Sequence, residues 1–358
     1  MAAERGLTVE RRARGRGEGG WVRGERDDWM KAASMGDAER VVWRTAQAMG
    51  LLLTLVLLAG LWTWSTGTLR VLWYGVIPVL PAVFLVQPKL WRNVCPLATL
   101  NTLPGRRTRG LKLDTRVARW TLPVGIALLA VLVPARRFAF NVDGPVLAVV
   151  IVAVAVVALA SGFLFDRKAG FCNSICPVLP VERLYGQRPL VRSGNAHCST
   201  CSLCTARGCL DVSAEKTVAQ VLGPARRSAR WLLTPYGAFA AAFPGFVLAY
   251  YLLSDVTAAD AARVYLVIAA GAAGSYVVVA AVALLTRVSW AIALPGLGAV
   301  ALLTYYWFGA PGIASAWELG TGTIHGIRGA AGLLLAGWLV LRVRETSGAM
   351  PAAVRSAR

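Results

Sequence analysis

Charged residues are scarce in this chain, and long polar stretches are confined to its ends and a few loops. Of its 358 residues, 16% are charged and 56% are hydrophobic. A soluble protein of this size needs a more polar surface, so the composition excludes that class and indicates a polytopic membrane protein. No G-K-[ST] loop occurs, and the G-x-G-x-x-G match at 15–20 lies in the polar N-terminal tail rather than between a strand and a helix, so neither nucleotide-binding signature is present in its required context.

Eight apolar runs, nearly free of charge, follow a polar N-terminal tail. Runs of this length span a bilayer as helices, so the sequence predicts an all-α fold with about eight transmembrane helices. The runs lie at about 46–65, 70–88, 121–135, 145–165, 232–253, 264–286, 289–308 and 324–341. Small residues at 269–275 and 326–332 predict close helix packing.

Acidic side chains are few: 18 Asp and Glu stand against 38 Lys and Arg, a net charge of +20. With eight spans and the N-terminus inside, 33 of the 38 basic residues fall in inner segments, which predicts cytoplasmic termini in a bacterial-type inner membrane. The five outer ones are Arg70, Arg136, Arg137, Arg263 and Arg328. Because the basic charge is spread over every inner loop, nucleic acid is not an expected partner.

The same pattern divides the chain into five parts. They are a disordered basic tail at 1–43, a four-helix unit at 44–165 with a first Cys-Pro loop at 89–120, a cytoplasmic loop at 166–231, four further helices at 232–341 and a tail at 342–358. The first apolar run begins too late for a secretory signal, so no cleavable signal peptide is expected.

Cysteine is concentrated in one stretch, since six of the seven lie between Cys172 and Cys209. Cys198, Cys201 and Cys204 form C-x2-C-x2-C, and Cys209 follows after four more residues. Three thiolates so spaced wrap one face of a [4Fe–4S] cubane, whereas a zinc site usually needs a second, separated knuckle. Zinc or unligated thiols stay open as alternatives. Both cysteine-bearing loops fall on the cytoplasmic side, where reduced thiols are expected.

Two Cys-Pro loops are related by an offset of 81 residues. Cys95-Pro96 matches Cys176-Pro177, and each copy follows a hairpin of two apolar runs. The first half of the membrane region is therefore predicted to be a duplicated unit of two helices and a cytoplasmic Cys-Pro loop.

The C-x3-C-P motif from Cys172 to Pro177, its partner Cys95-Pro96 and the C-x2-C-x2-C segment resemble the polyferredoxin-type membrane iron–sulfur proteins, such as NapH, NosR and CcoG. The resemblance covers about residues 46–213. It implies four helices carrying Cys-Pro loops, cytoplasmic iron–sulfur clusters, and electron transfer between the quinone pool and a partner protein. The chain departs from the pattern at Trp91, which stands where the first motif would begin with cysteine.

We therefore expect an integral membrane protein that passes electrons between quinone or quinol and a redox partner protein. Cys198, Cys201 and Cys204 are expected to bind one [4Fe–4S] cluster, with Cys209 or Cys176 as the fourth ligand. The alternative functions are an assembly or maturation factor for a respiratory metalloenzyme, and a membrane protein whose metal site is purely structural.

A second cluster is a further hypothesis. It would draw on Cys95, Cys172 and Cys176, which the repeat predicts to lie side by side at the inner ends of two helices. Three thiolates are one short of a cubane, so a substitute such as His197 or Cys209 would be needed. The alternative is that Cys95 and Cys172 are small buried residues.

The two histidines, His197 and His325, are predicted to lie on opposite sides of the membrane, so no bis-histidine haem is expected. The sequence GTGT at 320–323 lacks the surroundings of a covalent flavin site, and no flavin is expected. His325 has Glu318 and Arg328 nearby in sequence, which suggests a quinol-binding or proton-release site or an ordinary helix-entry loop.

Overall fold

The computed structural model describes residues 37–111, 113, 115–165, 168–191, 214–222 and 228–348. Within these ranges the regular elements are helical, apart from an isolated bridge between Leu111 and Phe165. The predicted all-α class is therefore confirmed for the described part of the chain. The chain divides into two units, Met1–Ala46 and Gln47–Arg358. In the first unit the described residues, 37–46, are helical.

Thirteen α-helices follow one another along the described residues. They are α1 Asp37–Thr63, α2 Ser65–Val71, α3 Val79–Val86, α4 Pro88–Val94, α5 Pro96–Thr102, α6 Thr115–Ala135, α7 Gly144–Leu164, α8 Leu179–Tyr185, α9 Ala214–Leu222, α10 Pro235–Leu252, α11 Ala261–Thr286, α12 Trp290–Ala316 and α13 Thr321–Gly348. Two π-helical turns, Leu72–Val76 and Arg136–Phe140, continue α2 and α6. Such turns are rare and often lie at functional sites.

Seven helical segments are long and apolar enough to cross a membrane. Their 21 to 29 residues extend over roughly 30 Å or more at 1.5 Å per residue, which matches the hydrocarbon core. The segments are Val41–Thr63, Ser65–Val86, Trp120–Phe140, Gly144–Leu164, Ala258–Thr286, Trp290–Ala316 and Thr321–Arg342. They identify a multi-pass membrane protein and coincide with seven of the eight predicted runs.

The remaining predicted run forms α10, which is not among the seven candidate spans. With 18 residues it is about 27 Å long. It begins at Pro235, and the hydroxyl of Thr234 caps it by accepting a hydrogen bond from Gly237 N at 3.1 Å. Tyr236 and Ala240 on this helix are fully buried in the main core cluster. α10 is thus enclosed by protein. The sequence predicted eight transmembrane helices, whereas the described residues contain seven candidate spans.

Small residues bring α10 and α11 into backbone contact. A Cβ atom added at Gly245 would lie 2.1 Å from the carbonyl oxygen of Gly271. Beside it, the Ser275 hydroxyl donates to Ala241 O at 2.7 Å. The close packing predicted for 269–275 is therefore confirmed. Within 326–332 the buried small residue is Ala331, which lies in the main core cluster, whereas a Cβ added at glycines 326, 329 or 332 would meet open space.

The two Cys-Pro loops meet their helices in the same way, which supports the predicted duplication. A Cβ added at Gly50 on α1 would lie 2.9 Å from the carbonyl oxygen of Val94. On α6, a Cβ added at Gly125 would lie 3.1 Å from the carbonyl oxygen of Cys176 and 3.4 Å from that of Ile175, which is 81 positions after Val94. In each copy a glycine thus admits the backbone at or just before the Cys-Pro pair.

Candidate metal centre at the Cys-Pro loops

Three of the predicted ligand residues lie in the described Cys-Pro loops. Cys95 connects α4 to α5, which begins at Pro96. Cys176 is followed by Pro177 and then by α8. Proline suits a helix start because the missing N–H has no intrahelical partner there. Cys95, Cys172 and Cys176 are free thiols and are half-buried.

The thiols of Cys95 and Cys176 make equivalent hydrogen bonds. Each accepts from the backbone N–H groups of the residues two and three positions further along the chain. The donors are Leu97 and Ala98 for the first thiol and Val178 and Leu179 for the second. Such bonds favour the thiolate form, and in iron–sulfur proteins hydrogen bonds to sulfur help to set the reduction potential.

The three thiols lie within reach of one another's charge. Burial is the largest cause of their shifts, raising the pKa of Cys95 and Cys172 and raising that of Cys176 to about 12. Negative charge on Cys95 raises the pKa of both other thiols further, and charge on Cys176 does the same for Cys172. The three cysteines of the two loops therefore lie close enough to interact electrostatically. Thiolates at this place need positive charge nearby.

Lys168 supplies one such positive charge. It is 3% exposed, and its Nζ donates to the carbonyl oxygen of Arg92 at 2.6 Å. Burial, followed by repulsion from Arg92, lowers the pKa of Lys168 to about 8. The charges of Cys172 and Cys95 act in the opposite sense. Negative charge on the thiolates would therefore favour the protonated lysine.

Arg92 supplies the second positive charge. It is 4% exposed, pairs with a Glu182 carboxylate oxygen at 2.8 Å, and donates to the side-chain oxygen of Asn173. Burial lowers the pKa of Arg92, but the charge and hydrogen bond of Glu182 and the charges of Cys172 and Cys176 together outweigh burial, so the pKa of Arg92 is raised. Its buried Nε has no hydrogen-bond partner among the described residues.

The three thiols are not a finished metal site by themselves. Within the described ranges, no three His, Cys, Asp or Glu side chains are arranged to hold a metal ion. The other predicted ligand residues, Cys198, Cys201, Cys204 and Cys209, lie outside the described residues, as does His197. The C-x2-C-x2-C assignment and the substitute ligand of a second cluster therefore stay predictions.

Sequence reasoning missed the polar residues around the thiols. Arg92 and Asn173 each lie three positions before a Cys-Pro cysteine, and Glu182 lies in the helix after the second motif. The signal that could have found them was their place in the repeat, since Asn173 is the residue 81 positions after Arg92. A buried lysine such as Lys168 carries no comparable sequence signal.

The group around His325 does not form a site in the described structure. His325 is exposed on the second turn of α13. Arg328 instead stacks 4.6 Å from the ring centroid of Trp307 and donates from Nε to the Trp307 carbonyl oxygen at 3.0 Å. No hydrogen bond or ion pair joins His325 to Glu318 or Arg328 among the described residues. The ordinary helix-entry loop is thus the better description.

Comparison with known proteins adds no relative. No family model, no curated protein and no solved structure matches this chain.

Proposed function

We propose that this protein is a membrane-bound [4Fe–4S] electron-transfer protein that links the quinone pool to a redox partner protein. The observation that carries the proposal is the convergence of three half-buried thiols, Cys95, Cys172 and Cys176, with two buried cations. When bound, a [4Fe–4S] cluster supplies one-electron transfer. The residues of the loops would hold it, compensate its charge and limit its contact with water.

The residues present fit an anionic sulfur centre. Thiolate ligands and cluster carry net negative charge, and Lys168 and Arg92 offset negative charge on Cys172. The Nε–H of Arg92, which has no acceptor in the described part of the chain, is a donor that could reach a sulfur acceptor. Backbone N–H groups already donate to Cys95 and Cys176. Each of these contacts stabilises negative charge on sulfur, which raises the reduction potential of such a site.

The ligand assignment combines both loops. Cys198, Cys201 and Cys204 would bind three irons of one cluster, with Cys209 or Cys176 completing it. A second cluster would use Cys95, Cys172 and Cys176 with a ligand from outside the described residues. Trp91, at the position equivalent to Cys172, supplies no thiolate, so the first copy of the motif brings a single cysteine.

The charge distribution supports a placement in which the loops face the cytoplasm. Under the eight-span topology, both termini and both cysteine-bearing loops lie on the cytoplasmic side of a bacterial-type inner membrane. Thiols there stay reduced and available to iron. A soluble or membrane-bound redox partner would reach the loops from that side.

A redox titration tests the proposal. The anaerobically purified full chain is titrated with a membrane quinol while electron paramagnetic resonance follows the cluster. We expect a signal that appears and disappears reversibly, and no signal from Cys201→Ser. A cluster that neither quinol nor a cytoplasmic donor reduces reversibly would contradict electron transfer and favour a structural site. Metal passed to a client enzyme without turnover of quinol would instead favour the assembly factor.

A further inference from the structure

A second polar site lies at the end of the bundle opposite to the cysteines. It is a cavity of about 220 Å³, lined among others by Trp73, Arg136, Arg137, Asn141, Tyr251 and Tyr305. The N-terminal end of α10 meets the cysteine end of the bundle, since the Tyr236 hydroxyl donates to Pro180 O at 3.4 Å. The cavity lies at the C-terminal ends of α6 and α10, about 22 Å further along α10 at 1.5 Å per residue. It belongs to no site assigned so far.

A network of polar side chains builds one wall of this cavity. Arg137 pairs with an Asp255 carboxylate oxygen at 2.9 Å, and the Asn141 amide donates to the same oxygen at 2.8 Å. The Asn141 side-chain oxygen in turn accepts from Arg136 Nε at 3.1 Å. Two guanidinium groups and one carboxylate therefore meet here. Arg137 is neutralised, and one positive charge is left over.

That charge belongs to Arg136. Its guanidinium lies 3.8 Å from the ring centroid of Trp73 and 5.5 Å from that of Tyr250. Within the described ranges it has no carboxylate partner, and its terminal nitrogens have no hydrogen-bond acceptor. The aromatic rings hold the group in place by cation–π contact and leave the donor pair of the fork free. The π-helical turn Arg136–Phe140 sets this side chain at the end of the span.

Phenol hydroxyls face the same charge. Tyr251 and Tyr305 hydrogen-bond to each other, and both hydroxyls lie within the field of Arg136. Tyr251 is the donor of this bond, so the Tyr305 hydroxyl keeps its own O–H. A bound oxyanion would receive the guanidinium fork and the Tyr305 O–H as donors together. The cavity volume corresponds to about seven waters at about 30 Å³ each. The cavity therefore admits a phosphate group with its nearest substituents. A drug-sized ligand needs roughly 300 Å³ or more.

We propose that this cavity binds a phosphate-class oxyanion, supplied either by a lipid headgroup or by free phosphate. The cation of Arg136, the aromatic rings that hold it and the Tyr305 hydroxyl match the charge and hydrogen-bonding needs of such a group. The position of Arg136 along its helix also supports a lipid source. Arg136 lies in the last turns of the span Trp120–Phe140, at the level of the lipid headgroups. The site is independent of the iron–sulfur proposal.

Two probes separate the sources. The full chain, delipidated in an uncharged maltoside detergent, is dialysed against radiolabelled inorganic phosphate, and retention of added phosphatidylglycerol is counted by native mass spectrometry. Arg136→Gln is the test variant. Arg328→Gln is its matched control, because Arg328 also stacks on a tryptophan near that end of the bundle but lines no part of the cavity.

The expected result is binding of at least one probe, weakened tenfold or more in Arg136→Gln and by less than twofold in Arg328→Gln. Binding of phosphatidylglycerol alone identifies the lipid headgroup, and binding of inorganic phosphate identifies the free anion. No binding to the unmodified chain, unchanged binding in Arg136→Gln, or equal weakening in both variants overturns the proposal. If Arg136→Gln fails to fold, Tyr305→Phe at an unchanged melting temperature should weaken binding about threefold, and unchanged binding there counts against it equally.

Discussion

Arg92 donates a hydrogen bond to Asn173. Asn173 lies 81 positions further on, at the position in the second Cys-Pro loop that is equivalent to Arg92 in the first. A contact between equivalent positions is expected where two copies of a unit face each other across a local pseudo-twofold axis. The same guanidinium pairs with Glu182 at 2.8 Å. Arg92 therefore joins the two loops and lies beside the thiols that both loops contribute.

Replacing Arg92 tests whether this residue links the two Cys-Pro loops. Arg92→Met should lower the free energy of unfolding by about 3 to 5 kcal/mol, because it leaves the buried Glu182 carboxylate without its partner. Denaturation in detergent, followed by circular dichroism, measures the change. Arg188→Met is the control, since Arg188 lies 3.9 Å from a Glu215 carboxylate that is 54% exposed, and the loss of stability should stay below about 1 kcal/mol. Equal losses in both variants would refute the role given to Arg92.

Cys201→Ser tests the ferredoxin-type segment. The anaerobically purified protein should be brown, with a shoulder near about 400 nm from thiolate-to-iron charge transfer. The variant should lose this absorption, because one iron loses its ligand. Ser202→Ala, the next residue, should keep it. Metal analysis that finds zinc, with neither iron nor acid-labile sulfide, would overturn the iron–sulfur assignment.

Cys95→Ala decides between one cluster and two. Iron quantitation near about four per chain supports one cubane, and about seven or eight supports two. With two clusters, Cys95→Ala should lose about half of the iron. Thr102→Ala, in the short helix α5 that follows Cys95, should lose no iron. The Thr102 hydroxyl donates only to carbonyl oxygens of its own helix. An unchanged iron count in Cys95→Ala would remove Cys95 from the ligand set.

The pH dependence of stability should report whether the thiols are ligated. In the fold the pKa of each of the three thiols is raised, while in the unfolded chain cysteine titrates near about 8.5. Above that pH the unfolded chain has released protons that the folded chain retains, so stability falls as pH rises. Lys168 acts the opposite way, because its folded pKa of about 8 lies below its unfolded value of about 10.4.

Three thiols outweigh one lysine. The metal-free chain should therefore lose on the order of 1 to 2 kcal/mol per pH unit above about pH 8.5, with allowance for the half-exposed thiols. The cluster-loaded chain should lack this decline, because iron replaces the protons. Melting temperatures between pH 7.5 and 10 measure both. Parallel curves for the two forms would mean that these cysteines bind no metal.

Whether α10 crosses the membrane decides the topology. Reporter fusions after Ser228 and after Ala258 bracket this helix, and the distribution of basic residues predicts an inner signal at Ser228 and an outer one at Ala258. Asp143, between α6 and α7, should also report the outer side and serves as the control. Signals on the same side at Ser228 and Ala258 would limit the chain to the seven candidate spans.

The sequence predicted the helices well and their ends less well. Apolar runs near 20 residues identify spans because the requirement to bury every backbone polar group is local to each run. The third run was predicted to end at residue 135, yet the span continues to Phe140 through a π-helical turn that carries Arg136 and Arg137. The two arginines made this segment look like a loop in the sequence. Only the folded chain pairs Arg137 with Asp255 and places Arg136 against aromatic rings.

The sequence by itself determined that the protein is a helical membrane protein with its cysteines in two related loops. Composition and repeat spacing are properties of the chain, and they need no packing to be read. Only the tertiary structure decided which charges meet those cysteines and where the opposite cavity lies. Arg92 comes from the first Cys-Pro loop and Lys168 and Glu182 from the second, and Arg136 faces Trp73 from another helix, because buried charges are placed where packing supplies their partners.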